Sequence, residues 1–142
     1  MGTVEETNKE SIRRQIEVFN NGNIEVLPEI ISPDFSMMDP SGVELKGPDG
    51  FGQMVTLWRS VFPDLHFTID DMVAEGDRVA IHFTYTGTFK GKWGDTEPTG
   101  NHIEISEAIF YVLKDGKEVS QSNFIDWLSF YKQIGISIPE NQ

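Results

Sequence analysis

The chain has 142 residues and no cysteine, so disulfides, thiolate nucleophiles and Cys-ligated metals are excluded. Its 11 Lys and Arg against 23 Asp and Glu leave a formal charge of −12, a surface that repels phosphate backbones and anionic lipid headgroups. The basic residues Lys90, Lys92, Lys114 and Lys117 are too sparse for a nucleic-acid footprint, and no apolar run approaches the roughly 18 residues of a membrane span.

Length predicts one domain over residues 1–142. Ile12, Ile16 and Phe19 recur at helical spacing, and Asn21-Gly22 stops that helix because both residues tolerate left-handed backbone. Ile24, Leu27, Ile30 and Ile31 predict a second short helix, closed by Ser32-Pro33-Asp34. Residues 35–39 read as a short strand, and Asp39-Pro40-Ser41-Gly42 as a turn. Gly47-Pro48-Asp49-Gly50 opens the longest helical pattern, because Pro suits a first turn whose N–H would be unpaired anyway. Phe51, Met54, Val55, Trp58 and Phe62 form its wide apolar stripe, and Pro63-Asp64 ends it.

From Leu65 the period becomes two. Leu65, Phe67 and Ile69 alternate with polar residues, as do Val79, Ile81, Phe83 and Tyr85 after the turn at residues 75–78. Residues 90–100 form a long loop. Ile103, Ile105, Glu107, Ile109, Tyr111 and Leu113 then share one strand face, and Asp115-Gly116 marks a tight hairpin. A last strand is expected from about Glu118 to Trp127, with Tyr131, Ile134 and Ile136 packing a tail. Helices followed by long antiparallel strands predict an α+β fold, with the helices on one face of a curved sheet that has room for a central apolar pocket.

The chemistry-bearing residues are carboxylates and amides. No nucleophile elbow, phosphate-binding glycine loop or His-Glu-x-x-His motif occurs, and His66, His82 and His102 sit on different predicted strands, so no metal is expected. Glu107 shares its face with isoleucines and Tyr111. Either it points into apolar surroundings, where burial raises its pKa and suits it to general acid–base work, or it faces solvent on a wet sheet face. Asp126 is either a second acid–base candidate or a cap for the turn or helix that follows. Asn123 lies beside it, sharing a face with Gln121, while Ser120, Ser122, Phe124 and Asp126 share the other if no bulge intervenes. Asp39 is a third carboxylate, with turn formation its simpler role. Trp58, Phe62, Phe83, Tyr85 and Tyr111 suit either a pocket for a flat apolar ligand or plain core. Trp93, between lysines in a glycine-rich loop, reads as a lid over a cavity or an interface residue.

Phe62-Pro63-Asp64, residues 75–80 (Glu-Gly-Asp-Arg-Val-Ala), Thr86-Gly87-Thr88, Pro98-Thr99-Gly100, Asp115-Gly116-Lys117, Asp126 and Gln133-Ile134-Gly135 follow one another in an order that resembles the SnoaL-like polyketide cyclase family, within the nuclear transport factor 2-like superfamily. The resemblance spans about residues 10–136. It implies a cone of helices packed into a curved antiparallel sheet around a deep apolar pocket, and a homodimer. It also implies intramolecular aldol ring closure of an aromatic polyketide ester by a pocket carboxylate, without metal or organic cofactor. Asp126 matches the family's Asp near the C-terminal segment, so the resemblance favours it over Glu107 as the acid–base group. Three departures mark a different pocket lining: Met38-Asp39-Pro40 stands where members commonly carry His-Asp-Pro, Gln121-Ser122-Asn123 where many carry Asp or His-Trp, and Glu107 where Gly is frequent.

The expected function is a cofactor-independent cyclase, isomerase or hydratase. Asp126 or Glu107 would deprotonate a carbon next to a carbonyl, and Asn123, Tyr85 or Tyr111 would hold the enolate oxygen. Met38, Asp39, Trp58, Phe62, Phe83, Tyr85, Tyr111 and Trp93 would contact a small apolar or aromatic substrate. The alternatives are a non-catalytic binding protein for such a ligand and a structural dimer whose cavity is filled by side chains. The polar, acidic N-terminus does not read as a signal peptide, and a cytoplasmic location without nucleic-acid or membrane partners is expected.

Overall fold

The computed structural model describes residues 2–39 and 42–137. Helix α1 runs over Val4–Asn21; Thr3 caps it by accepting from Glu6 N at 3.1 Å, and Glu5 and Glu6 in the first turn complement the helix dipole. Gly22, at φ 74°, ends it as the spacing predicts. The second predicted helix is one 3-10 segment over Ile24–Glu29. Strands β1 (Ser36–Met38) and β2 (Glu44–Lys46) form a two-stranded ribbon, of which only β1 was legible. Pro40 and Ser41 of the predicted turn lie outside the described residues, but Asp39 does turn the chain: its carboxylate accepts from Val43 N at 2.9 Å. Helix α2 spans Gly47–Val61 with Pro48 in its first turn.

The main sheet is antiparallel, in the order β3 (His66–Glu75), β4 (Arg78–Thr88), β5 (His102–Lys114), β6 (Lys117–Phe124). Asp115 and Gly116 join the last two strands with φ 53° and 77°, the left-handed pair that a tight hairpin requires. The last strand stops short of the predicted Trp127. Asp126 caps a helix, α3 over Trp127–Ile134, which holds two of the three residues expected to pack a tail, Tyr131 and Ile134. Its Phe130 is fully buried, so the period there is helical and too short to stand out in the sequence.

Helix α1 is fastened to the sheet by polar side chains on its buried face. Asn8 Nδ2 donates to Gly76 O at 3.2 Å and Ser11 Oγ to Gly116 O at 2.8 Å, so two hairpin turns are held by one helix. Asn20 bonds both backbone groups of Phe67, accepting from its N–H at 2.6 Å and donating to its carbonyl at 3.0 Å, as a neighbouring strand would. Arg59 donates to the carbonyls of Phe19 at 2.8 Å and Asn20 at 3.1 Å, placing a cation at the negative end of α1. These bonds close the helices over the concave face of the sheet. No helix among the described residues is long and apolar enough to cross a membrane.

The loop after β4 is pinned to the end of α2, where Lys90 N and Gly91 N both donate to Val61 O, at 3.0 and 3.1 Å. A Cβ on Gly91 would come within 2.0 Å of Ser60 O, so only glycine fits. The expected effect of Gly91→Ala is a loss of about 1–3 kcal/mol in urea unfolding, because backbone rather than a flexible side chain must give way.

Candidate functional site

Between α1, α2 and the concave face of the sheet lies a chamber of about 70 Å³. It is lined from α1 by Gln15, Ile16 and Phe19, and from α2 by Met54 and Trp58. The sheet contributes Phe67 from β3, Phe83 and Tyr85 from β4, Glu107, Ile109 and Tyr111 from β5, and Gln121 and Asn123 from β6. Register explains the convergence: Phe83 pairs with Glu107, Ile109 with Asn123 and Tyr111 with Gln121, so alternate residues of neighbouring strands point the same way. Phe67 stacks on Phe19 at 4.7 Å and on Phe83 at 5.1 Å, closing one wall. The chamber adjoins an outer groove of about 570 Å³ that shares Met54, Trp58, Asn123 and Trp127 and adds Met38 and Asp39. The two spaces also share Gln121 and Ile125, and together they are of a size that holds a small organic molecule, with the chamber as its inner end.

Glu107 is the carboxyl inside this enclosure. It is 9% exposed, and its Oε2 accepts a 2.6 Å hydrogen bond from Tyr85 Oη. Burial pushes its pKa up to about 7; the Tyr85 hydrogen bond opposes the rise and the negative charge of Asp126 adds to it. Tyr85 is buried beside that carboxyl, and desolvation with the neighbouring charge holds its phenol protonated far above the ordinary range. Asp126 itself is exposed at the start of α3. Its Oδ1 accepts from Ser129 N at 3.0 Å and its Oδ2 from Ser129 Oγ at 2.7 Å, and these bonds lower its pKa. It does not line the chamber, although its chain neighbours Ile125 and Trp127 do.

The remaining candidates separate. Trp58, Phe83, Tyr85, Tyr111 and Asn123 line the chamber with Glu107, while Met38 and Asp39 stand in the outer groove. Phe62 is fully buried behind Trp58, with ring centroids 6.1 Å apart, and lines neither space. Trp93 packs on Trp58 at 5.0 Å and on Phe130 at 5.5 Å, so the loop aromatic joins the core cluster instead of standing free.

A second buried polar group was not anticipated. Glu118 is 0% exposed and accepts from Gln15 Nε2 at 2.5 Å; burial pushes its carboxyl pKa well up, with the Gln15 hydrogen bond opposing. The β5–β6 register shifts between Val112 and Leu113, and the bulge turns Glu118 to the same inner side as Gln121 and Asn123. Plain alternation places Glu118 with Ser120 and Ser122, so the sequence hid it. Gln15 did carry a signal: it interrupts the apolar stripe Ile12, Ile16, Phe19. Among the described residues no group of His, Asp and Glu side chains gathers to hold a metal ion.

The raised pKa has a stability consequence. Folded Glu107 holds its proton to about 7 where the ordinary value is 4.5, so its contribution is full below pH 4.5 and is lost as pH rises through 7. The 2.5-unit difference corresponds to about 3 kcal/mol. Glu107→Gln is therefore expected to be more stable than wild type at about pH 8 and close to it at about pH 4 in urea unfolding; an equal gap at both values would contradict the buried acid.

The family model of the SnoaL-like polyketide cyclases matches residues 9–134. Among solved structures, a candidate polyketide cyclase from Acidithiobacillus ferrooxidans is 28% identical, with 94% of this chain and 97% of that one aligned at a TM-score of 0.76. Wild-type IdmH from Streptomyces antibioticus, also described as a candidate polyketide cyclase, is 26% identical, with 91% and 99% aligned at 0.75. TsrD from Streptomyces laurentii, at 21% identity with 92% and 96% aligned, reaches 0.83 and shares the fold. No functionally curated protein matches the sequence. With the helices-then-sheet architecture in place and nearly the whole chain matched, this protein belongs to the SnoaL-like polyketide cyclase family.

Proposed function

We propose that the chain is a cofactor-independent cyclase or isomerase in which Glu107 is the general base, acting on a neutral, largely apolar carbonyl compound of polyketide-ester type. The observation that carries this reading is a carboxyl with pKa near 7 inside an apolar chamber, where it can both take and return a proton near neutrality. Tyr85 holds Oε2, which leaves Oε1 to remove a proton from the carbon beside the substrate carbonyl. Negative charge then moves to the carbonyl oxygen. Asn123 is placed to meet it: its Oδ1 accepts from Gln121 Nε2 at 2.7 Å, which leaves its own amide N–H groups for the enolate. The enolate carbon attacks a second carbonyl of the same molecule, and protonated Glu107 returns its proton to the new alkoxide. The substrate class rests on the family and on the names of the two neighbours above 25% identity.

Asp126 has a different part in this scheme. Both of its oxygens serve α3, and its charge raises the pKa of Glu107 from outside the chamber. The homodimer expected from the resemblance belongs to the same proposal; the exposed pair Phe110 and Phe124, 5.6 Å apart on the outer sheet face, is the apolar surface it would cover.

A surrogate ketone tests the base directly. Exchange of the α-protons of β-tetralone into heavy water, followed by proton NMR, should be catalysed with a rate that climbs with pH to a plateau, with its midpoint near 7. Glu107→Gln should reduce the catalysed rate by roughly 10²–10⁴-fold. Asp126→Asn keeps a competent helix cap, so it should stay within about tenfold of wild type and move the midpoint to lower pH by removing a negative charge. Full loss in Asp126→Asn with activity retained in Glu107→Gln would exchange the two roles. No exchange above the uncatalysed rate with wild type, although the ketone binds, would favour the non-catalytic binding protein.

A further inference from the structure

The mechanism above uses only one end of the chamber. Tyr111 lies four residues beyond Glu107 on the same face of β5, about 13 Å along the strand. Three buried polar atoms have no hydrogen-bond partner among the described residues: Tyr111 Oη, Oε1 of its register partner Gln121, and Glu118 Oε2. Tyr111 is 1% exposed and fully desolvated, yet it lines the chamber, as do Gln121 and Gln15. Buried polar atoms are nearly always paired, because each one left alone forfeits the hydrogen bond it had with water. Tyr111 and Gln121, register partners on one cavity wall with Glu118 behind them, are instead the unmet half of a set of contacts.

Each atom has a defined capacity. Tyr111 Oη can donate and accept. Gln121 Nε2 is engaged with Asn123, which leaves Oε1 as an acceptor. Glu118 Oε1 is engaged with Gln15, which fixes the Gln15 amide against the chamber. The set contains no Lys or Arg to pair with an anionic group, and burial in an apolar space disfavours an unpaired charge. A neutral oxygen able to accept from Tyr111 and donate to Gln121 satisfies the wall.

We propose that Tyr111, Gln121 and Gln15 form a second recognition subsite, at the end of the chamber remote from Glu107, that takes an uncharged hydroxyl or enolised carbonyl oxygen of the substrate. The substrate then carries oxygen functions at both ends of an apolar body, one meeting Glu107 and the other Tyr111. Glu118 touches Gln15 and acts as a positioning residue behind the subsite. The subsite rests on the reading of the chamber as the substrate site, but it is tested by binding and not by turnover, so the two can fail separately.

The probes are 2,6-dihydroxynaphthalene, with a hydroxyl at each end, and β-naphthol, with one, titrated calorimetrically against the full chain. The expected result is at least tenfold tighter binding of the diol by wild type, falling to less than threefold in Tyr111→Phe. That variant removes one unpartnered oxygen and keeps the ring, so it should fold with an unchanged or higher Tm. Glu107→Gln should retain the preference, since it alters the other end. A diol that binds wild type no better than β-naphthol, or a preference that survives in Tyr111→Phe, would overturn the subsite. A preference lost in Glu107→Gln alone would also overturn it, because the second oxygen would then sit at the base. A retained diol preference with no proton exchange on β-tetralone would leave the subsite standing and remove the cyclase reading.

Discussion

Tyr85 donates to Glu107 across 2.6 Å inside an apolar enclosure, and much of the molecule is arranged around the tension in that contact. Removing a carboxyl from water favours its neutral form; a hydrogen bond from a phenol favours its charged form. Burial prevails here, but only far enough to bring the pKa to about 7, and a carboxyl with that value is useful as a base near neutral pH. Keeping it there requires walls. The stack of Phe19, Phe67 and Phe83 supplies one, and α1, bolted to two hairpin turns and to the backbone of Phe67, keeps the wall in place. Asp126 adds charge from outside while capping α3.

The same economy applies to the polar atoms at the far end. A protein selected for stability alone would replace Tyr111 with Phe and Glu118 with an apolar residue, since unpartnered buried polar atoms cost about 1–3 kcal/mol each. Their presence beside a cavity fits the common pattern in which binding sites carry local strain that the rest of the fold supports. In this chain the support is the aromatic cluster of Trp58, Trp93 and Phe130 and the capped helices around it.

How much of this was legible before folding depends on the residue. Strict alternation through Ile105, Glu107 and Ile109 put a carboxylate on an apolar face, and that face is buried. The Asp115-Gly116 hairpin and the long helix opened by Pro48 were equally readable, because local chemistry decides them. The hidden features depend on tertiary contact. A bulge opposite Val112 changed which side of β6 faces inward, so Glu118 could not be placed by counting. Trp93 read as a lid over a cavity or an interface residue because nothing local shows that Gly91 lets its loop close onto α2. Asp126 offered two readings from sequence, acid–base group or cap, and in the structure its oxygens are engaged as a cap. The family pattern favours Asp126 as the acid–base group; the burial of Glu107 against the exposure of Asp126 gives a physical ground for preferring Glu107.

The central claim is that Glu107 is a buried acid that changes charge near neutrality. It is tested most directly by the carboxyl stretch in infrared difference spectra, recorded between about pH 5 and pH 9 on wild type and Glu107→Gln. The protonated band missing from the variant should titrate with a midpoint near 7. A band that has already vanished by pH 5, with a midpoint near the ordinary 4.5, would mean a solvated carboxylate and would contradict the account.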